Sequence, residues 1–77
     1  MNAVPTPIEF QLRGEYIELD KLLKATGLAE SGGQARMMIS EGLVQVDGQT
    51  ESRKTAKIRP GQQVRLGEQT IRIAPAA

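Results

Sequence analysis

Residues 27–48 read GLAESGGQARMMISEGLVQVDG, and the parsing of this stretch decides the fold. Ser31 is a good N-cap, and Gln34, three positions on, completes a capping box. Ala35, Met38 and Ile39 recur at helical spacing and form an apolar stripe. Arg36 lies on the flank of that stripe, and Met37 points almost opposite it, toward a covering N-terminal segment. Gly42 suits the left-handed position that closes a helix. Val44 and Val46 then alternate into Asp47-Gly48, a strong signal for a tight hairpin turn. The periodicity therefore switches from helix to strand at Gly42.

Two glycines, Gly32 and Gly33, stand in the first turn of this helix, where an interior glycine costs about 1 kcal/mol relative to alanine. Their bare amides could seat a phosphate, helped by the helix dipole. Alternatively, glycine lets the turn pack closely against the preceding helix. The pattern is not a P-loop, because no Gly-Lys-Ser/Thr follows.

Upstream, Leu19, Leu22 and Leu23 recur at i, i+3 and i+4, and Gly27 closes a first amphipathic helix. Its spacing puts Lys21 and Lys24 on the face opposite the leucines. Two short helices joined by a short link read as a helical hairpin or helix-turn-helix. Before them, Ile8, Phe10 and Leu12 alternate with polar residues, Arg13-Gly14 breaks the run, and Tyr16 and Ile17 follow. That is one short strand or a small hairpin. Residues 1–7, with two prolines and little to bury, read as a flexible tail. Downstream come SRKTAKIR (52–59) and the turn Pro60-Gly61. Val64, Leu66, Ile71 and Ile73 share one face if the loop at Gly67-Glu68 is even, and an odd loop would flip one strand. Arg65 and Arg72 then share the wet face. The expected architecture is α+β, a single domain over residues 8–74. In it, two short helices pack as a hairpin on one side of a small, mostly antiparallel sheet.

The chain of 77 residues has no cysteine and no histidine. Disulfides, thiol chemistry, the usual zinc sites and the commonest neutral-pH base are thereby removed. Glu18 and Asp20 are close in sequence, but negative charge at a helix start is stabilising without any chemistry. No metal, no cofactor and no enzymatic activity are expected. The N-terminus lacks the pattern of a signal peptide, and no apolar run approaches the ~20 residues of a membrane span. A soluble, cytoplasmic monomer is the expectation.

The net charge of +1 hides an asymmetry: residues 1–51 carry 4 cations and 8 carboxylates, whereas residues 52–77 carry 6 cations against Glu68 alone. Arg53, Lys54, Lys57 and Arg59 form a basic run whose blandest reading is a solvated loop. If that segment folds back on the helices, it joins Lys21, Lys24 and Arg36. Such a surface suits phosphate, because binding releases condensed counterions. The only aromatic residues are Phe10 and Tyr16. With Phe10 assigned to the core, base stacking on single strands is disfavoured, and shape and phosphate recognition of structured RNA fits better. DNA-reading recognition helices aim Arg, Asn or Gln at base edges, whereas the second helix offers Gln34 and Arg36, then MMIS.

A spaced set of residues also resembles a known family. It comprises Leu19-Asp20 with Leu23, Gly27-Leu28-Ala29 with Ser31, Ala35-Arg36, Ile39, Gly42, Val44, Val46 and Asp47-Gly48. Together they resemble the RNA-binding domain first described in small-subunit ribosomal protein S-four. That domain also occurs in pseudouridine synthases, tyrosyl-tRNA synthetases and a ribosome-associated heat-shock protein. The resemblance runs from about Ile17 to Leu66. It implies two helices and a small sheet that grip structured RNA, and a domain without catalysis of its own. Three positions depart from the family pattern: Glu18 and Gly32 stand where arginine is usual, and Gln62 where aspartate is common. The expected function is binding of structured RNA, rRNA or tRNA-like, in a bacterial cytoplasm with possible ribosome association. Lys21, Lys24, Arg36, Arg53, Lys54, Lys57 and Arg59 are the expected phosphate contacts, with the amides of Gly32 and Gly33 as a further seat. The alternative is a protein-interaction adaptor that kept the fold but lost RNA affinity. Glu18 and Gly32 motivate it.

Overall fold

A computed structural model describes residues 6–76. The chain forms β1 (Ile8–Gln11), β2 (Ile17–Glu18), α1 (Leu19–Ala25), α2 (Gly32–Ser40) and β3 (Val44–Val46). It continues through β4 (Gln49–Thr50), β5 (Lys57–Ile58), β6 (Gln63–Leu66) and β7 (Gln69–Ala74). A five-stranded sheet has the order β1-β7-β6-β3-β4, and β2 and β5 make a second, two-stranded sheet. All pairings are antiparallel except β1 with β7. This is the α+β architecture with a mostly antiparallel sheet that the periodicity predicts. The flexible tail assigned to residues 1–7 falls largely on residues 1–5, outside the described residues.

The two helices follow from their leucine and alanine stripes. Leu19, Leu22, Leu23, Ala35 and Ile39 are fully buried and share one core with Val44, Ile58, Val64 and Ile71. At α2 the Ser31 hydroxyl accepts the Gln34 N–H at 3.1 Å. The return bond differs from a strict capping box, because the Gln34 side chain accepts the N–H of Glu30 rather than that of Ser31. At the other end the Leu43 N–H reaches the Met38 carbonyl and the Gly42 N–H the Ile39 carbonyl, with Gly42 at φ +78°. That is a Schellman closure, and it satisfies two carbonyls that the helix end would otherwise orphan.

Asp47 and Gly48, both at positive φ, turn β3 into β4. The Asp47 carboxylate also accepts the Gln63 N–H at 3.0 Å and the Gln62 side-chain amide at 3.2 Å. Gln62 in turn accepts the Arg59 N–H at 2.7 Å. An aspartate at this position could still accept from Arg59, but it would set a second carboxylate against Asp47. Glutamine, with a donor and an acceptor, satisfies both neighbours. The departure at Gln62 therefore has a local physical reason.

The even loop at Gly67-Glu68 holds, with Val64 opposite Ile71 and Leu66 opposite Gln69. Arg65 and Arg72 are exposed on the other face, as the alternation requires. The structure settles one reading of the N-terminal half and corrects another. Of the two alternatives for residues 8–17, a short strand is present and the hairpin is not: β1 pairs in parallel with β7, which puts Ile8 and Phe10 beside Ile71 and Ile73. Ile17 instead faces Ile58 across an antiparallel pair. Met37 is 55% exposed, so among the described residues the N-terminal segment does not cover it. Residues 8–11 of that segment are spent on β7 instead.

Candidate nucleic-acid interface

The segment SRKTAKIR returns to the start of α1. The Asp20 N–H donates to the Lys54 carbonyl at 3.1 Å, and the Leu19 N–H to the Ala56 carbonyl at 2.9 Å. These are N-terminal amides of α1 that have no partner within the helix. One step later Lys57 stands opposite Glu18 in the β2–β5 pair. Ala56 and Ile58 are buried while Lys57 and Arg59 are exposed. The alternation of Ala56, Lys57, Ile58 and Arg59 therefore anchors the basic run through its small apolar residues.

Asp20 links this segment to α2. The residue is 6% exposed, and its carboxylate accepts its neighbour Lys21 N–H at 2.8 Å and takes the Arg36 guanidinium at 3.4 Å. Arg36 reaches it by lying over Gly32. A β-carbon added to Gly32 would stand 3.3 Å from Arg36 Nη1, whereas one added to Gly33 would meet only the Ser31 hydroxyl, at 3.9 Å. Neither glycine is at positive φ. Close packing of the turn against α1 is thus not what requires these glycines. The space above Gly32 holds the guanidinium of Arg36.

The carboxylates sort the cations. Lys21 pairs with Glu18 at 2.8 Å, Arg36 with Asp20, and Arg53 with Glu51 at 3.0 Å. Among the described residues, Lys24, Lys54, Lys57 and Arg59 have no carboxylate within 4 Å. The hydrogen bond that the Lys21 ammonium donates to the Glu18 carboxylate raises the Lys21 pKa above its ordinary value. Lys24 sits one turn along the exposed face of α1 from Lys21. Lys57 and Arg59 are held differently, by the ring of Tyr16, whose centroid is 5.0 Å from the Lys57 ammonium and 5.7 Å from the Arg59 guanidinium. Continuing the β2–β5 register sets Tyr16 opposite Arg59, so this cluster is a cross-strand one. Sequence reading assigned no role to Tyr16. The signal was its alternation with Glu18 around the inward Ile17.

Glu51 is the other residue that sequence reading passed over. Its carboxylate accepts the Arg53 backbone N–H at 2.9 Å and both ends of the Arg53 guanidinium at 3.0 Å. Chiefly through the side-chain bond to Arg53, the Glu51 pKa is lowered from 4.5 to about 2. A carboxylate with a depressed folded pKa stabilises above its unfolded pKa and loses that contribution as pH falls through the folded one. Glu51→Gln should therefore melt below the wild type at neutral pH, and the gap should close as pH drops from 4.5 to about 2. Thermal melts of both proteins across that range check this, and a gap independent of pH would reject it.

The S4 domain model matches residues 10–74, a wider span than the motif residues alone suggest. YbcJ of Escherichia coli (strain K12) is 45% identical over 58 residues, covering 75% of this chain and 83% of that protein. YbcJ of Shigella flexneri gives the same figures. The solution structure of E. coli YbcJ, described as revealing an alfaL motif involved in RNA-binding, superposes with a TM-score of 0.71 at 37% identity. That match covers 96% of this chain and 95% of the other. With two short helices on a mostly antiparallel sheet and the family model matched over 10–74, this chain belongs to the S4 domain family.

Proposed function

We propose that this protein binds RNA, and specifically structured RNA of the rRNA or tRNA-like kind, through phosphate contacts. It acts without catalysis, as a cytoplasmic monomer that can associate with the ribosome. The likeness to YbcJ and the S4 domain match support RNA as the partner. The observation that carries the phosphate reading is the set Lys54, Lys57 and Arg59. All three are exposed, lie on a segment bonded to the start of α1, and lack a carboxylate within 4 Å among the described residues.

The same geometry ranks the contacts. Lys24, Lys54, Lys57 and Arg59 offer undiminished charge. Lys21, Arg36 and Arg53 can also reach phosphate, but each must share or leave a carboxylate. Phosphate contacts fix register and orientation without reading sequence. Titrating labelled protein with an RNA hairpin should shift the amides of residues 18–24, 36 and 53–59. An RNA complex that leaves 53–59 unshifted would overturn this interface. The adaptor reading, motivated by Glu18 and Gly32, would use Met37 and Leu43, which are 55% and 50% exposed, as apolar anchors. It takes over if no RNA perturbs the chain at all.

Gly32 offers a gain-of-function check. Arginine there should tighten RNA binding several-fold, because it adds a cation beside Arg36 while displacing only the far end of a flexible side chain. Fold stability should hold or rise by up to about 1 kcal/mol. Weaker binding with an intact fold would point instead to the bare amides of Gly32 and Gly33 as the phosphate seat. Binding isotherms of both proteins with one hairpin decide it.

A further inference from the structure

Tyr16 is 42% exposed, although it is an aromatic residue in a domain with a well-filled core. It borders two shallow grooves. One is formed with Ile17, Glu18 and Lys21, and the other, of about 550 Å³, with Phe10, Leu12, Arg13 and Gly14 among its lining. Two cations with no carboxylate partner among the described residues, Lys57 and Arg59, lie within 6 Å of its ring. A neutral ring holds a cation in place without cancelling its charge, unlike the carboxylates that hold Lys21, Arg36 and Arg53. The result is an exposed aromatic surface beside two undiminished positive charges and an open groove of mixed apolar and polar lining, Glu9, Gln11 and Arg13 included.

We propose that Tyr16, Lys57 and Arg59 form a site for one unpaired nucleotide, the base stacking at Tyr16 and its phosphates lying on Lys57 and Arg59. The site deepens, and rests on, the reading of this surface as an RNA interface. Its ligand class is an RNA with a single-stranded nucleotide flanking a duplex, rather than a plain helix. Aromatic rings beside a positive groove are how sequence-tolerant single-strand binders hold bases, because every base has a π-face. One ring suffices for one base, which fits a chain whose other aromatic, Phe10, packs against the core.

The chain provides its own reporter, since Tyr16 is its only tyrosine and it has no tryptophan. The full chain is titrated with an RNA hairpin bearing a four-adenosine 3′ overhang, with the same hairpin made blunt, and with inorganic polyphosphate. Binding is read by anisotropy of labelled RNA and by tyrosine emission. The overhang hairpin should quench the emission well beyond polyphosphate, and should bind several-fold tighter than the blunt one. Tyr16→Leu, which also releases Lys57 and Arg59 from the ring, should weaken both hairpins, but the overhang hairpin about tenfold and several-fold more than the blunt one. Tyr16→Phe, which keeps the ring, should retain the overhang preference and exclude a folding defect. Equal loss on both hairpins in Tyr16→Leu, or quenching no stronger than with polyphosphate, would overturn the nucleotide site while leaving the RNA reading intact. If wild type binds neither hairpin, both readings fall together.

Discussion

Replacing Leu19 by alanine is expected to destabilise the domain by about 2–5 kcal/mol. For a chain of this size, total stability is on the order of 5–10 kcal/mol, so the change removes a large share of it. The thermal midpoint should fall by more than about 10 °C. Leu19 is fully buried at the junction of β2 and α1, where the leucine stripe meets Ile58 and Ala56 in one core. Truncation loses the transfer energy of the removed methyls and adds a cavity that backbone-anchored neighbours cannot collapse to fill. The Leu19 N–H also holds the Ala56 carbonyl. The basic segment should therefore loosen first, seen as faster amide exchange at Ala56 and Ile58. Met37→Ala, at an exposed helical position, should change stability by no more than about 0.5 kcal/mol. Circular-dichroism melts of the two variants compare them, and similar losses would contradict the burial pattern.

What the sequence disclosed and what it hid follow from the range of the interactions. The helices, their glycine closures and the Asp47-Gly48 turn were legible because each depends on residues within a few positions. The parity of the Gly67-Glu68 loop was legible for the same reason, since a single slip would expose Val64 or Ile71. The partners of β1 were not. Ile8 and Phe10 alternate equally well for a hairpin or for a parallel strand. What selects the parallel pair is the distant β7, with Ile71 and Ile73 on the shared face. Segment 52–59 read as charge, and its short strand was overlooked because Ala56 and Ile58 are diluted by cations. Pairing of charges was the least legible of all. Arg53 and Lys54 are adjacent and chemically alike, yet Arg53 is clamped by Glu51 and Lys54 has no carboxylate partner among the described residues. Only the backbone path from β4 into the loop sets that difference. Gly32 needed the third dimension too, because Arg36 fills the space above it from one turn away.

Changing Lys54, Lys57 and Arg59 together to glutamine should produce the largest functional loss. With Lys24 these are the cations of the surface that have no carboxylate within 4 Å among the described residues. Four phosphate contacts give log affinity a slope of about −3 against log salt, and removing three should bring it to about −1. If the affinity at 1 M salt is unchanged, that difference amounts to about a 50-fold loss at 0.15 M salt. The fold should tolerate the change, because all three side chains are exposed. The cation–π contacts to Tyr16 contribute only about 0.5–1 kcal/mol each at such a site. Two controls separate this surface from general charge. Arg53→Gln should lower the slope by much less than one, since its guanidinium is already spent on Glu51. Arg65→Gln with Arg72→Gln removes two cations from the opposite face of the sheet and should leave the slope nearly unchanged. Isotherms with one hairpin between about 0.05 and 0.4 M salt measure all three slopes. If the triple variant keeps the wild-type slope while the Arg65 and Arg72 pair flattens it, RNA lies on the open sheet face and the assignment to segment 53–59 is wrong.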